Sequence, residues 1–309
     1  MEIVVKNLTK MYGPQRAVDN ISFQLKAGEI LGFLGPNGAG KTTTMKIMTC
    51  FMAPTSGDVL VGGFSIKQEP EKIKALIGYL PESNPLYPEM AVIDYLKYVA
   101  EMQNIPKEKI KNRLAAMISV CGLEAEKHKL IGELSKGFRQ RVGLAQTMIH
   151  DPQILILDEP TTGLDPNQII EIRELIKRVG REKTVILSSH ILAEVEATCD
   201  RILIINNGII VADGDYQQLS AKAKGNDIFS IGIEGASADE IYQALRNLDF
   251  MEMVDMKSIE HPLFEIHVKP GVVTAKEIFD LCVSKNWYIS KMMPIETSLE
   301  DIFRDLTSN

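Results

Sequence analysis

The chain has 309 residues, 45% of them hydrophobic and 24% charged, enough for one large globular domain and a smaller one without a disulfide or metal staple. Its 34 basic and 41 acidic side chains give a formal charge of −7, which argues against the bulk electrostatic footprint of a nucleic-acid binder, and no nucleic-acid partner is expected. The start, MEIVVKNLTK, has no apolar run suited to a signal peptide, and nowhere is there an uninterrupted apolar stretch of about 18 residues, the minimum for a membrane span. Cys50, Cys121, Cys199 and Cys282 lack metal-ligand spacing, so a cytoplasmic protein with reduced thiols is expected, serving any membrane only from the side.

In chain order, Ile21, Phe23 and Leu25 alternate with polar residues as in a strand with one buried face, and Glu29–Leu34 is a short apolar run suited to a buried strand. A glycine-rich turn follows, then a helix from Lys41 to about Met52 and a strand at Asp58–Val61. From about Ala91 to Gly122 the apolar residues recur at helical spacing (Val92, Tyr95, Leu96, Val99; then Ile110, Leu114, Met117, Ile118), which predicts a mostly helical insertion. Strands at Ile154–Leu157 and Val185–Leu187 flank a helical pattern from Ile169 to Val179, and such alternation predicts a mainly parallel sheet with helices on both faces. Asn206-Asn207-Gly208 marks a hairpin between Arg201–Ile205 and Gly208–Val211. A linker is expected near 221–226. Beyond it, strands near 228–233, 250–256, 263–268 and 288–292 alternate with helices near 238–248 and 273–285, a small α+β domain with a possible ferredoxin-like layout.

Gly35, Pro36, Asn37, Gly38, Ala39, Gly40, Lys41 and Thr42 fit G-x-x-x-x-G-K-[ST] between a buried strand and a helix, with Thr43 next in line. Glycine lets the backbone wrap a phosphate, the helix N-terminus faces the anion, Lys41 pairs with the β- and γ-phosphates, and the Thr42 hydroxyl suits Mg²⁺. Asp158 and Glu159 end the apolar strand Ile154–Leu157, where a P-loop protein needs a metal-side carboxylate and a general base; without the P-loop they would read as a solvated loop. These two features leave kinases, GTPases and ATPases open.

Leu134-Ser135-Lys136-Gly137-Phe138-Arg139-Gln140-Arg141 opens a helical pattern 23 residues before Asp158. Ser135 alone reads as a helix N-cap. Taken with the two preceding motifs, the stretch resembles the signature of ABC transporter ATPases. Gly163-Leu164-Asp165 is similar to that family's D-loop, His190 in Leu187-Ser188-Ser189-His190 to its switch histidine, and Tyr12 in Met11-Tyr12-Gly13 to its adenine-stacking aromatic. Alone, Tyr12 reads as packing and His190 as structural. In Ile77-Gly78-Tyr79-Leu80-Pro81-Glu82, the position of the family's Q-loop glutamine holds Glu82, which can ligate Mg²⁺ but cannot donate through an amide; a surface loop acid is the other reading.

The resemblance covers about residues 1–219 and implies an α/β P-loop NTPase fold with a mixed sheet and a helical subdomain near 82–150, followed by an accessory α+β domain over 220–309. It also implies binding of ATP and Mg²⁺, hydrolysis, a homodimer or paired ATPase subunit closing on two ATP molecules, and a separate membrane permease holding the chain to the inner face of the membrane. Pro294–Phe303 resembles the closing segment of ABC-2-type exporter ATPases, the drug-export and gliding-motility-associated group. The bland reading is a terminal helix capped by Thr297 or Ser298, with Leu299, Ile302, Phe303 and Leu306 turned inward. The alternative class, ABC-type ATPases that act as clamps on ribosomes or DNA, carries paired domains, coiled coils or zinc insertions, none of which the sequence displays.

Overall fold

The computed structural model describes residues 1–223, 227–258, 262–269, 274–295 and 303. These divide into two compact units, one over 1–216 and one beginning at Gln217. The first contains β1 (Ile3–Tyr12), β2 (Gln15–Leu25), β3 (Ile30–Leu34), α1 (Lys41–Met48), β4 (Ser56–Val61), β5 (Phe64–Ser65), α2 (Pro70–Leu76) and β6 (Ile77–Leu80). It continues through α3 (Val92–Met102), α4 (Lys107–Val120), α5 (Lys136–Met148), β7 (Ile154–Asp158), α6 (Pro166–Gly180), β8 (Thr184–Ser189), α7 (Leu192–Thr198), β9 (Arg201–Asn206) and β10 (Ile209–Gly214).

A six-stranded sheet, in the order β10-β9-β3-β8-β7-β6, forms its centre. The strands from β9 to β6 are parallel, and β10 joins β9 as an antiparallel hairpin around Asn207-Gly208, both in the left-handed region. β3, β7, β8 and β9 are buried on both faces, which is why they read as continuous apolar runs. Leu155 and Leu157 of β7 enter a core shared with α3 to α6, whereas Ile154 and Ile156 enter one shared with α1 and a second sheet. That second sheet is antiparallel, in the order β2-β1-β4-β5. The strands expected at Ile21–Leu25 and Asp58–Val61 belong here and not to the parallel sheet. The helix expected from Lys41 to Met52 ends four residues sooner, at Met48, because Cys50 turns the chain at φ 57°.

The helical insertion is α3 to α5. Val92, Tyr95, Leu96 and Ala100 of α3 are buried along one stripe, as are Ile110, Leu114, Met117 and Ile118 of α4. Ser135 starts α5 as its N-cap, accepting from Phe138 N at 3.3 Å.

α8 (Tyr216–Ala223) leads to the second unit, which runs β11 (Asp227–Glu234), α9 (Ala238–Arg246), β12 (Met251–Ser258), β13 (Leu263–Val268), α10 (Thr274–Lys285) and β14 (Tyr288–Ile295). Its antiparallel sheet has the order β12-β13-β11-β14, the ferredoxin-like arrangement of a β-α-β-β-α-β chain. Ile231, Ile233, Phe264 and Ile266 pack there with Ile241 and Leu245 of α9 and Ile278 of α10. Residues 224–226 of the expected linker, and Thr297, Ser298, Leu299, Ile302 and Leu306 of the expected closing helix, lie outside the described residues.

Candidate functional site

β3 delivers the chain into the loop Gly35–Gly40, and α1 starts at Lys41. A Cβ at Gly35 would come within 2.4 Å of Ile205 O, and one on Gly40 (φ 108°) within 2.4 Å of Ala17 O. Only glycine fits between these carbonyls and the turning backbone. No side chain caps α1, so the amides of its first turn are free to meet an anion. The Lys41 ammonium is only 7% exposed and donates to Gly35 O at 2.7 Å and Pro36 O at 3.2 Å. Burial holds its pKa below the usual lysine value, against the opposing pull of Glu159, Asp158 and Glu82.

Opposite the loop, β7 ends in the two carboxylates. Asp158 is fully buried and lies in register with Ser188 of β8. The Ser188 hydroxyl donates to Asp158 Oδ1 at 2.6 Å and accepts from Glu159 N at 2.9 Å. Asp158 Oδ2 is buried with no hydrogen-bond partner among the described residues. Glu159 sits at φ 50°, a left-handed conformation that concentrates at functional sites, and its side chain is held from three sides. Its Oε2 accepts from the Thr162 hydroxyl at 3.1 Å and lies 2.8 Å from His190 Nδ1, while Oε1 is 3.9 Å from Lys41 Nζ.

One cavity of about 460 Å³ brings together Asn37 to Thr43, Glu82, Glu159, Thr162 and His190. Glu82 thus faces the phosphate loop, and it also lines a second cavity of about 470 Å³ with Lys136, Arg139 and Gln140 at the head of α5. Gly35, Pro36 and Asp158 do not line the first cavity, nor do Gln140, Ser135, Gly137, Asp165 and Tyr12. Ser135 is engaged as a cap, Gly137 is buried against the Gln168 side chain, and Asp165 caps α6 by accepting from Gln168 N at 3.0 Å. Tyr12, 46% exposed at the end of β1, points its hydroxyl to Met52 Sδ at 3.0 Å, with Lys10 Nζ 5.5 Å from its ring centre. Thr162 and Ser188 are functional positions in none of the motifs visible in the sequence. The only sequence signal for them is a hydroxyl residue three positions past Glu159 and another two before His190.

The family model described as ABC transporter matches residues 18–162, which contain both the phosphate loop and the paired carboxylates. A Bacillus subtilis protein described as the uncharacterised ABC transporter ATP-binding protein YhcH is 38% identical over 307 residues, 98% of this chain and 95% of its own length. The chain belongs to the ABC transporter ATP-binding family. A second relative of this ABC ATPase, the bacitracin transport ATP-binding protein BcrA of Bacillus licheniformis, is 38% identical and covers 72% of this chain and 73% of itself. The linearmycin resistance ATP-binding protein LnrL of Bacillus subtilis is 35% identical, over 82% of each chain. Among solved structures, the ATP-binding subunit of an ABC transporter superposes with a TM-score of 0.66 at 29% identity, over 79% of this chain and 98% of that one. A dimeric ATP-binding cassette in a post-hydrolysis state with ADP and Pi gives a TM-score of 0.63 at 25% identity, over 69% and 98%. The ABC ATPase therefore has the expected P-loop NTPase fold with its helical subdomain, and it is an ATP-binding and ATP-hydrolysing transporter subunit.

Proposed function

We propose that this ABC ATPase closes head to tail with a second copy around two ATP molecules and so drives a separate membrane permease, as an exporter of the ABC-2 type. The observation carrying this reading is the separation of the two anion-binding elements. Ser135 and Gly137 do not line the cavity of their own Lys41, so each site needs the Ser135–Gly137 turn of the opposite copy to enclose its nucleotide. The matched cassette, dimeric with ADP and Pi, supports it.

In this reading residues 1–219 are the ATPase domain, with its helical arm near 82–150, and 220–309 an accessory domain. The loop amides and Lys41 hold the β- and γ-phosphates. Glu159 takes a proton from the attacking water as its oxygen bonds to the γ-phosphorus; the bond to the β–γ bridging oxygen breaks, leaving ADP and phosphate. His190 fixes the Glu159 carboxylate and meets the γ-phosphate. Tyr12 stacks on adenine, Gln140 supports the signature turn, and Asp165 reaches across the dimer. The residues present fit Mg²⁺: the Thr42 hydroxyl, Glu82, and Asp158 with its unpartnered Oδ2 would hold it, and the ion when bound neutralises phosphate charge.

No helix of the described residues is long and apolar enough to cross a membrane, so the permease is assigned to a separate chain holding this one at the inner membrane face. We assign its docking surface to a cavity of about 530 Å³ between the end of α1, β6, α3 and α5, beside Phe51, which is 72% exposed. The names of the bacitracin transport and linearmycin resistance relatives support export. A multi-helix membrane protein should co-purify with the chain and stimulate its ATPase, and Phe51→Asp should remove the stimulation while leaving basal turnover intact. Co-purification with ribosomes or DNA in its place would contradict the reading.

A further inference from the structure

We propose that Glu194 is a positioning residue for hydrolysis, its buried carboxylate tying the turn that follows Glu159 to the loop that carries His190. The proposal rests on the reading of Glu159 as the base.

Glu194 lies in the first turn of α7 and is 5% exposed. Its Oε2 accepts from the Thr161 hydroxyl at 2.5 Å and from the Ser189 hydroxyl at 3.2 Å. Thr161 stands two residues after Glu159 and Ser189 one before His190, and both are almost fully buried. The Ser189 oxygen in turn accepts from Ile191 N at 3.0 Å, fixing the far side of the histidine. One carboxylate oxygen thus anchors both segments whose side chains meet at Glu159 Oε2 and His190 Nδ1, 2.8 Å apart.

The anchor itself is set by close packing. α7 presses so tightly on β3 that a Cβ on Gly32 would lie 2.2 Å from Val195 Cγ1. β3 is the strand that enters the phosphate loop, so Glu194 fixes the base turn and the histidine loop relative to the element that holds the phosphates. Buried polar side chains are costly unless bonded, and Glu194 Oε1 has no hydrogen-bond partner among the described residues, so the trio is a poor device for stability alone. What the hydrogen bonds add is direction, and misplacing a reacting group by about 1 Å costs about 100-fold in rate.

The test compares kcat, KM for ATP and nucleotide affinity in Glu194→Ala, Glu194→Gln, Thr161→Val and Glu159→Gln. Glu194→Ala should lower kcat by about 10- to 100-fold. Its KM and ATP affinity should change less than about twofold, because the phosphate loop is untouched. Glu194→Gln keeps an acceptor oxygen for both hydroxyls and should restore most of kcat. Thr161→Val should lower kcat several-fold alone and add little in the Glu194→Ala background. Should Glu194→Ala fail to fold, Thr161→Val carries the same test. Unchanged kcat in these variants, or equal losses of kcat, affinity and melting temperature without rescue by glutamine, overturns the proposal. If Glu159→Gln stops turnover while Glu194→Ala does not, only the role of Glu194 fails; if Glu159→Gln turns over normally, the base reading itself fails.

Discussion

Ser188→Ala removes one hydroxyl from the centre of the parallel sheet, and the structure sets what that costs. The hydroxyl is fully buried, donates to Asp158 Oδ1 at 2.6 Å and accepts from Glu159 N at 2.9 Å. A hydrogen bond to a carboxylate contributes about 1.5–3 kcal/mol, and a buried amide left without an acceptor costs about 1–3 kcal/mol. Asp158 has no second partner among the described residues to compensate, since its Oδ2 is already unpaired. Allowing for water entering beside the new alanine, the expected loss is about 3 kcal/mol. For a unit of 216 residues this corresponds to a fall of about 6–12 °C in melting temperature. Far-UV circular dichroism should show the main transition moving down by that amount. A shift smaller than about 0.5 kcal/mol, the range of ordinary surface substitutions, would refute the claim that Ser188 secures the Asp158 carboxylate and the Glu159 backbone.

Lys41 is held below the usual lysine pKa of 10.5 by burial, so between the depressed value and 10.5 the unfolded chain binds more protons than the native one. Nucleotide-free protein should therefore gain stability as pH rises through that window, and Lys41→Met should lose the gain; urea midpoints with the same pH slope in both proteins would contradict it. Gly137→Ala places its Cβ 2.6 Å from the end of the flexible Gln168 side chain, which can move away. The variant should fold and bind ATP as a monomer yet dimerise poorly with ATP, and sedimentation showing normal dimers would count against the signature assignment.

The features legible in the sequence are those in which a residue type answers a local demand. Gly35 and Gly40 face backbone carbonyls at 2.4 Å from any Cβ, so the phosphate loop could be read without coordinates. The helical insertion was equally plain, because Val92, Tyr95 and Leu96 of the expected stripe are buried on α3, with Val99 half-buried beside them. β1 was obscured because Asn7 (φ 48°) and a shift in register break its alternation after Val5. α2 buries only Ile73 and α7 buries Glu194 and Thr198 beside Leu192 and Val195, so neither gives an apolar period. Ser188 and Glu194 were invisible for a related reason. Their partners lie 30 and 33 residues away, at Asp158 and Thr161, and only the β7–β8 pairing and the α7 contact bring them together. Glu82 lines the cavity of Lys41, a placement that no apolar period in its own stretch of sequence announces.

The central claim is that hydrolysis by Glu159 opens a dimer that ATP closes. Sedimentation of Glu159→Gln with and without ATP and Mg²⁺ tests it most directly. The account predicts ATP binding as tight as in the wild type, turnover lowered by about 100-fold or more, and a stable ATP-dependent dimer that disperses when nucleotide is removed. A Glu159→Gln protein that stays monomeric with ATP bound, or that hydrolyses ATP at the wild-type rate, would contradict it.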